Sequence, residues 1–126
     1  MLYEDLVAQA LAAKEKGYAP YSGIRVGAAV KTADGSIFTG ANVENAAYGL
    51  TICAERVAVA KAVTEGFRHI VAVAVAWDGE GFCTPCGACR QVLYEFGPGM
   101  RVIMIDAQER YQEEVLAVLL PHAFGV

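Results

Sequence analysis

Three cysteines and one glutamate have the types and the spacing that a catalytic metal site requires. Cys53 stands two residues before Glu55, and Cys86 and Cys89 are three residues apart in the segment PCGAC. Thiolates are soft ligands that suit Zn²⁺, and three protein ligands leave the fourth tetrahedral position open for water. A carboxylate beside that position can move protons between the water and a substrate. The pattern therefore predicts a zinc site with Cys53, Cys86 and Cys89 as ligands and Glu55 as proton shuttle.

Two arginines could tune the charge of this site. Zn²⁺ bound by three thiolates has a net charge of −1, which weakens the metal as a Lewis acid. A cation beside the sulfurs would withdraw charge from them and restore the acidity of the bound water. Arg56, which follows Glu55, is placed for this role, and Arg90 is a second candidate.

Other interpretations of the cysteines remain open at this point. The spacing Cys83-x2-Cys86-x2-Cys89, with Cys53 as a fourth ligand, also suits an iron–sulfur cluster or a closed four-thiolate zinc site in a structural or binding module. Free cysteines can also be small buried hydrophobes. The run continues with Arg90 rather than with another Cys and Pro. None of these alternatives gives Glu55 a role, so the open three-cysteine site is favoured.

The elements that must position these residues follow from apolar periodicity, with Gly and Pro marking the turns. The predicted helices cover residues 3–16, 53–65, 86–96 and 113–120. The predicted strands cover residues 24–32, 36–40, 70–76 and 101–105. The run IVAVAVA at residues 70–76 contains no polar residue, which is typical of a strand buried on both faces.

This order of elements predicts an α/β fold. Helices should cover both faces of a mixed, roughly five-stranded central sheet, which gives a three-layer α/β/α sandwich. Four strands are assigned by pattern, and the pattern does not place the fifth. A chain of 126 residues with 56% hydrophobic residues is long enough to bury one core. We therefore expect residues 1–126 to form a single catalytic domain.

Composition restricts the partners that the chain can have. The net charge is −4, and the ten Lys and Arg residues are scattered rather than clustered, unlike the basic surface that binds a nucleic-acid polymer. The N-terminal segment MLYED lacks a signal-peptide pattern, and no apolar run reaches transmembrane length. We expect a cytoplasmic protein with reduced thiols, a small-molecule substrate, and neither membrane nor nucleic-acid partners.

Six sequence blocks resemble the small homotetrameric cytidine deaminases. In chain order they read YAPYS, VGAA, GANVENAAY, CAER, PCGACRQV and LLPHAF, and they begin at Tyr18, Val26, Gly40, Cys53, Pro85 and Leu119. The resemblance covers nearly the whole chain and implies a cytidine deaminase-like fold with one Zn²⁺ per subunit. It implies hydrolytic deamination of cytidine and 2′-deoxycytidine to uridine and 2′-deoxyuridine plus ammonia, in pyrimidine salvage.

The resemblance also implies roles for individual residues. Arg56 would hydrogen-bond the ligand sulfurs, Asn42 and Glu44 would bind the ribose hydroxyls, and the backbone near Ala54 would read the edge of the base. A carboxylate beside an amide can satisfy a sugar hydroxyl, which both donates and accepts. Taken by themselves, Asn42 and Glu44 would more often be turn and surface residues.

Two further residues are implied to act between subunits. Members of the family complete each active site with residues from neighbouring subunits of the homotetramer. Tyr48 and the tail residue Phe124 would be such residues, with Phe124 covering the base. Without the resemblance, Phe124 would be interpreted as packing near a C-terminus and Tyr48 as a phenol with a satisfied hydroxyl.

Ile24 departs from the family pattern. The family usually has Phe at this position of the pocket, where this chain reads YSGIRVGAA. Ile24 can wall the pocket through apolar contact, but it cannot stack on a pyrimidine, an interaction worth about 0.5–1.5 kcal/mol. The alternative substrate is therefore a modified cytidine or a nucleoside similar to blasticidin S. Relatives that act on cytosine, deoxycytidylate or tRNA adenosine commonly have His as the first ligand, where this chain has Cys53.

Overall fold

A single mixed sheet organises the computed structural model, which describes residues 3–125. The strands are β1 (Val26–Thr32), β2 (Ile37–Ala41), β3 (Ile70–Trp77), β4 (Arg101–Ile105) and β5 (Tyr111–Val115). The helices are α1 (Glu4–Lys14), α2 (Ala54–Thr64), α3 (Gly87–Phe96) and the short α4 (Leu116–Leu119), with a 3₁₀ turn at Tyr48–Leu50. No helix among the described residues is long and apolar enough to cross a bilayer.

The five strands are ordered β2-β1-β3-β4-β5. β1 pairs antiparallel with both β2 and β3, β3 pairs parallel with β4, and β4 pairs antiparallel with β5. The parallel pair is joined through α3, as a parallel connection requires a crossover element. The predicted mixed, five-stranded sheet is therefore confirmed.

Successive side chains of β3 point to opposite faces of the sheet. Ala72, Ala74 and Ala76 face α1 in one apolar cluster, while Val73 and Val75 belong to the other cluster, which contains residues of α2 and α3. Small side chains on one face let α1 approach closely, and the larger ones fill the opposite layer. Helices thus cover both faces, which confirms the predicted three-layer α/β/α sandwich.

Two glycines bring helix backbones against the sheet. A Cβ at Gly27 would lie 2.2 Å from the backbone nitrogen of Lys14 in α1. A Cβ at Gly40 would lie 2.5 Å from the nitrogen of Ala58 and 2.6 Å from the carbonyl oxygen of Ala54, both in α2. Since real Cβ atoms do not approach so closely, the absence of a side chain at Gly40 sets the position of the first turn of α2.

The main error of the sequence-based assignment lies near the C-terminus. A helix was predicted over residues 113–120, whereas Tyr111–Val115 is the fifth strand and only Leu116–Leu119 is helical. The segment YQEEV has no apolar alternation, and its Glu and Gln residues do not favour a strand. Pairing with β4 overrides that preference, and its position at the sheet edge leaves the polar side chains in solvent.

The other predicted elements exist, and their ends differ by at most two residues. The first helix ends at Lys14 rather than at residue 16, and β1 begins at Val26 rather than at residue 24. β2 is displaced by one residue, and β3 continues one residue further, to Trp77. The last difference matters for the site, because it makes Trp77 a strand residue.

Candidate metal centre and active site

Two helix starts bring the three predicted ligands together. Cys53 is the residue immediately before α2, and Cys86 is the residue immediately before α3, with Cys89 in the first turn of α3. The sulfurs of Cys53, Cys86 and Cys89 all lie within 4.8 Å of one another. The Cys53 carbonyl accepts the N–H groups of Arg56 and Val57, which closes the first turn of α2.

Hydrogen bonds among the three thiols favour the ionised form of Cys53. A hydrogen bond from Cys89, supported by one from Cys86 and by the charge of Arg56, lowers the pKa of Cys53 to about 6, although burial opposes the shift. The hydrogen bond to Cys53 and burial raise the pKa of Cys89. A sulfur that ionises this readily is a good ligand for a soft cation.

Glu55 is a buried carboxyl group beside these sulfurs. It lies in the first turn of α2, and only 4% of its surface is exposed. Burial raises the pKa of its carboxyl group, and the negative charge of Cys53 acts in the same direction. A raised pKa makes a carboxyl group a better proton acceptor, which suits it to general acid–base chemistry.

A cavity of about 200 Å³ adjoins the sulfurs and Glu55. Its lining consists of Val26, Asn42, Thr51, Cys53, Ala54, Glu55, Trp77, Cys83, Thr84 and Cys86. A second cavity of about 390 Å³ shares Thr51 with it and is lined by Tyr21, Ser22, Glu44, Asn45, Tyr48 and Thr51. We call the cavity beside the thiols the inner cavity and the cavity lined by Tyr48 the outer cavity.

Asn42 and Glu44 lie beside these cavities, but their side chains also brace the backbone. The amide of Asn42 accepts the N–H of Val26 at 2.9 Å and donates to the Ile24 carbonyl at 2.9 Å. The Glu44 carboxylate accepts the N–H groups of Tyr21 and Ser22 and the Ser22 hydroxyl. The hydroxyl of Ser22 and these N–H groups lower the pKa of Glu44, although burial opposes the shift, so Glu44 is an anion at the outer cavity.

Three other predicted contacts lie at or outside the rim of the inner cavity. Tyr48 and Phe124 are each 77% exposed, and Ile24 is 37% exposed. Tyr48 lines the outer cavity and meets the ring of Tyr21 edge to face at 6.1 Å. The Gln91 amide donates to the Phe124 carbonyl at 3.0 Å, which holds the tail against α3 and leaves the ring of Phe124 in solvent.

The two arginines have different partners. Arg56 contributes both its charge and a hydrogen bond to the Cys53 sulfur. The guanidinium of Arg90 donates to the carbonyls of Pro85 at 2.8 Å and Leu119 at 2.7 Å. Arg56 thus has the predicted position beside a sulfur, whereas Arg90 ties the cysteine loop to the C-terminal tail.

Several residues that line the inner cavity were not predicted to contact a substrate, Trp77 and Thr51 among them. Trp77 and Thr51 lie outside the cysteine motifs, and both line the inner cavity. The sequence did hold a signal for Trp77, which is the single Trp of the chain and stands at the end of a buried strand shortly before the PCGAC segment. Its contact with the cavity depends on the register of β3 against β1, which the sequence does not encode locally.

Cys83 lines the cavity without joining the cluster. It is buried, and its backbone N–H donates to the Ile105 carbonyl at 3.2 Å. Burial and the nearby charge of Glu55 raise the pKa of its thiol. Among the described residues, the grouped sulfurs are those of Cys53, Cys86 and Cys89, so the geometry does not support the four-thiolate alternative.

These residues fit a zinc ion and define a class of protein. A catalytic Zn²⁺ takes three protein ligands and keeps one position open. The three clustered thiols supply that number of soft donors. A buried carboxyl group and a cavity adjoin them. An α/β/α sandwich with this site has the features of a metal-dependent hydrolytic enzyme.

Comparison with known proteins gives the family. The sequence profile described as "Cytidine and deoxycytidylate deaminase zinc-binding region" matches residues 2–105. The cytidine deaminase of Sporosarcina psychrophila is 48% identical over 123 residues, which are 97% of this chain and 90% of that protein. The cytidine deaminase of Halalkalibacterium halodurans is 49% identical over 120 residues, or 94% of this chain and 91% of that protein.

A solved structure agrees with the sequence comparison. The crystal structure of cytidine deaminase from Burkholderia pseudomallei superposes with a TM-score of 0.94 and 46% identity, and the match covers 98% of this chain and 100% of that one. The chain therefore belongs to the zinc-binding family of cytidine and deoxycytidylate deaminases. The family binds zinc, and the three clustered thiols suit the same metal, so both findings support zinc as the cofactor.

Proposed function

We propose that this chain is a cytidine deaminase, which hydrolyses cytidine and 2′-deoxycytidine to uridine and 2′-deoxyuridine with release of ammonia. The observation that carries the proposal is the cluster of three thiols beside the buried carboxyl group of Glu55 at one cavity. The similar proteins from Sporosarcina and Halalkalibacterium are named cytidine deaminases. Those names do not favour the alternative of a modified cytidine or a nucleoside similar to blasticidin S.

We propose Cys53, Cys86 and Cys89 as the residues that hold zinc. Bound there, zinc would supply a water molecule of lowered pKa as the nucleophile. The hydrogen bond and charge of Arg56 at the Cys53 sulfur support its role in moderating the negative charge of the three thiolates.

Glu55 would carry the protons of the reaction. It would accept a proton from the attacking water and give it to N3 of the base, which makes C4 more electrophilic. As the water oxygen bonds to C4, Glu55 would take the remaining proton from that oxygen and give it to the exocyclic amine. The C4–N bond then breaks, ammonia leaves and the C4 carbonyl of the product forms. The burial of Glu55 supports this role, because a raised pKa allows one group to take up and release a proton in each cycle.

The remaining site residues would orient the nucleoside. The base would enter the inner cavity, where the backbone of Ala54 reads its edge and Ile24 gives apolar contact near the rim. The second amide hydrogen of Asn42 and the ionised carboxylate of Glu44 would bind the ribose hydroxyls. Both side chains are already held by backbone hydrogen bonds, which would reduce the entropy lost when the sugar binds.

Exposed apolar side chains support a homotetramer with shared active sites. Tyr48 and Phe124 are each 77% exposed, so both rings are accessible to a second copy of the chain. In the proposed assembly, Tyr48 and Phe124 complete the site of a neighbouring subunit. We further propose one catalytic domain over residues 1–126, a cytoplasmic location and a role in pyrimidine salvage.

The test is the loss of cytidine absorbance on mixing with purified protein, with zinc measured on the same sample. We expect turnover with about one zinc per chain, the ratio for a single three-cysteine site. Treatment with a chelator should abolish turnover, and added zinc should restore it. A zinc-loaded protein that turns over neither cytidine nor 2′-deoxycytidine would contradict the proposal.

A further inference from the structure

The one tryptophan of the chain forms part of the wall of the inner cavity. Trp77 ends β3 and lines the same cavity as Cys53, Glu55 and Cys86. Side chains alternate along a strand, so Trp77 points to the same face as Val75, toward α2 and α3. Its indole is therefore a large aromatic surface at the place where the base would bind.

Two contacts hold the indole in place, and two hydrogen bonds of Asp78 fix the backbone that follows it. Its Nε1 donates to the Gly81 carbonyl at 2.9 Å, which uses its polar edge. Gly79 lies against the ring, because a Cβ there would be 2.9 Å from three of its atoms. The backbone N–H of Asp78 donates to the Arg25 carbonyl at 3.1 Å, and the Asp78 carboxylate accepts from Arg25 Nε at 2.9 Å. A ring fixed in this way loses little further freedom when a ligand packs on it.

The position of Trp77 is related to the departure at Ile24. In the β1–β3 register, Trp77 lies directly opposite Val26, two residues after Ile24. Ile24 has no aromatic ring, and it is not one of the residues that line the inner cavity. Trp77 reaches that cavity from the adjacent strand and offers the aromatic face that Ile24 lacks.

We infer that Trp77 is the aromatic wall of the base pocket and packs against the pyrimidine ring of the substrate. This inference rests on the proposed function and names a specificity-determining residue for it. An aromatic face favours a planar heterocycle over an aliphatic group of similar size. Trp77 therefore offers the aromatic ring that the family resemblance leads us to expect at the position of Ile24.

Because Trp77 is the only tryptophan, its fluorescence reports on this contact directly. The experiment titrates cytidine into the zinc-loaded Glu55→Gln variant, in which the nucleoside should bind without being consumed. We expect saturable quenching or a spectral shift, with half-saturation near the KM of the unaltered protein. Ribose alone should leave the emission unchanged. Calorimetric binding of cytidine with no change in emission would overturn the inference.

Steady-state kinetics of substituted proteins test the same contact independently. Trp77→Ala should raise KM for cytidine about tenfold while zinc content stays the same, and Trp77→Phe should stay within about threefold of the unaltered protein. The double variant Ile24→Phe/Trp77→Ala should recover most of the loss, because it restores a ring beside the pocket. Phe82→Ala is the matched control, because Phe82 is an aromatic residue of the loop that follows β3 and does not line the cavity, and it should leave KM unchanged.

The outcomes separate this inference from the proposed function. Turnover by the unaltered protein together with an unchanged KM in Trp77→Ala would overturn the role of Trp77 and leave the deaminase activity in place. Equal loss of zinc from Trp77→Ala and Trp77→Phe would show a structural role instead and would also overturn it. Absence of both cytidine binding and turnover in the zinc-loaded, unaltered protein would contradict the proposed function itself.

Discussion

Glu55 is the residue on which the proposed chemistry depends most. Glu55→Gln keeps the size and the hydrogen-bonding edge of the side chain but removes its ability to exchange a proton. We expect zinc content to be unchanged and kcat to fall by roughly 10²–10⁴-fold, the usual contribution of a general acid–base group. Zinc analysis and cytidine turnover on the same preparation measure both quantities. A variant with normal kcat would remove Glu55 from the proton-transfer role.

Substitutions of Cys53 and Cys83, which line the same cavity, have opposite expected outcomes. Cys53→Ala removes one of the three clustered sulfurs, so zinc content and turnover should be lost together. Cys83→Ala is the matched control, because Cys83 lines the same cavity without joining the cluster. It should keep zinc and most activity and cost about 1 kcal/mol of stability through a small internal cavity. Loss of zinc from Cys83→Ala would favour the four-thiolate site.

The residues of the site differ in how far the sequence could predict them. Cys53 and Glu55 are separated by two positions, and Cys86 and Cys89 by three, so their chemistry can be recognised in short segments. That the two segments meet depends on the packing of α2 and α3 on one face of the sheet. Trp77 belongs to no such segment, and it reaches the cavity through its pairing with Val26, 51 positions earlier in the chain.

At the scale of elements, Gly40 controls how closely α2 approaches β2. Gly40→Ala would place a methyl group 2.5 Å from the backbone of α2, so the helix must move outward. We expect a loss of about 1–3 kcal/mol in stability from this overpacking. Zinc affinity should also fall, because Cys53 and Glu55 lie at the displaced end of α2.

Gly99→Ala is the matched control for that substitution, because a Cβ at Gly99 meets no atom within 4 Å. It should change stability by less than about 0.5 kcal/mol and leave zinc affinity unaltered. Thermal unfolding at one protein concentration, with and without zinc, measures both variants. Equal midpoints for Gly40→Ala and Gly99→Ala would show that α2 accommodates the methyl group freely.

Elements with a strong apolar pattern could be predicted, and an element without one could not. The run that forms β3 is apolar throughout, and Arg101–Ile105 was predicted with its observed bounds. β5 is a polar edge strand, and its Glu and Gln residues resemble the beginning of the helix that follows. Its conformation is set by hydrogen bonds to β4, which no local pattern records.

At the scale of the whole molecule, the exposed aromatic residues could contact a substrate bound to their own chain or to a second copy. The Phe124 carbonyl is anchored to Gln91 while its ring stays in solvent, an arrangement suited to contact with a second copy. If Phe124 covers the base in a neighbouring site, Phe124→Ala should lower turnover by roughly tenfold or more, as for other buried aromatic contacts at interfaces. Zinc content should not change, since Phe124 is largely exposed and supplies none of the clustered sulfurs.

Co-expression of two impaired chains distinguishes shared sites from separate ones. In a mixed oligomer of Glu55→Gln and Phe124→Ala subunits, some sites combine Glu55 from one chain with Phe124 from the other. Activity should then exceed that of both parent proteins at equal total concentration. If Phe124 acts within its own subunit, every site with Glu55 also lacks the aromatic ring, and mixing gives no gain. Light scattering on the same sample establishes whether the mixed species is a tetramer, so a monomer with this activity would contradict shared sites.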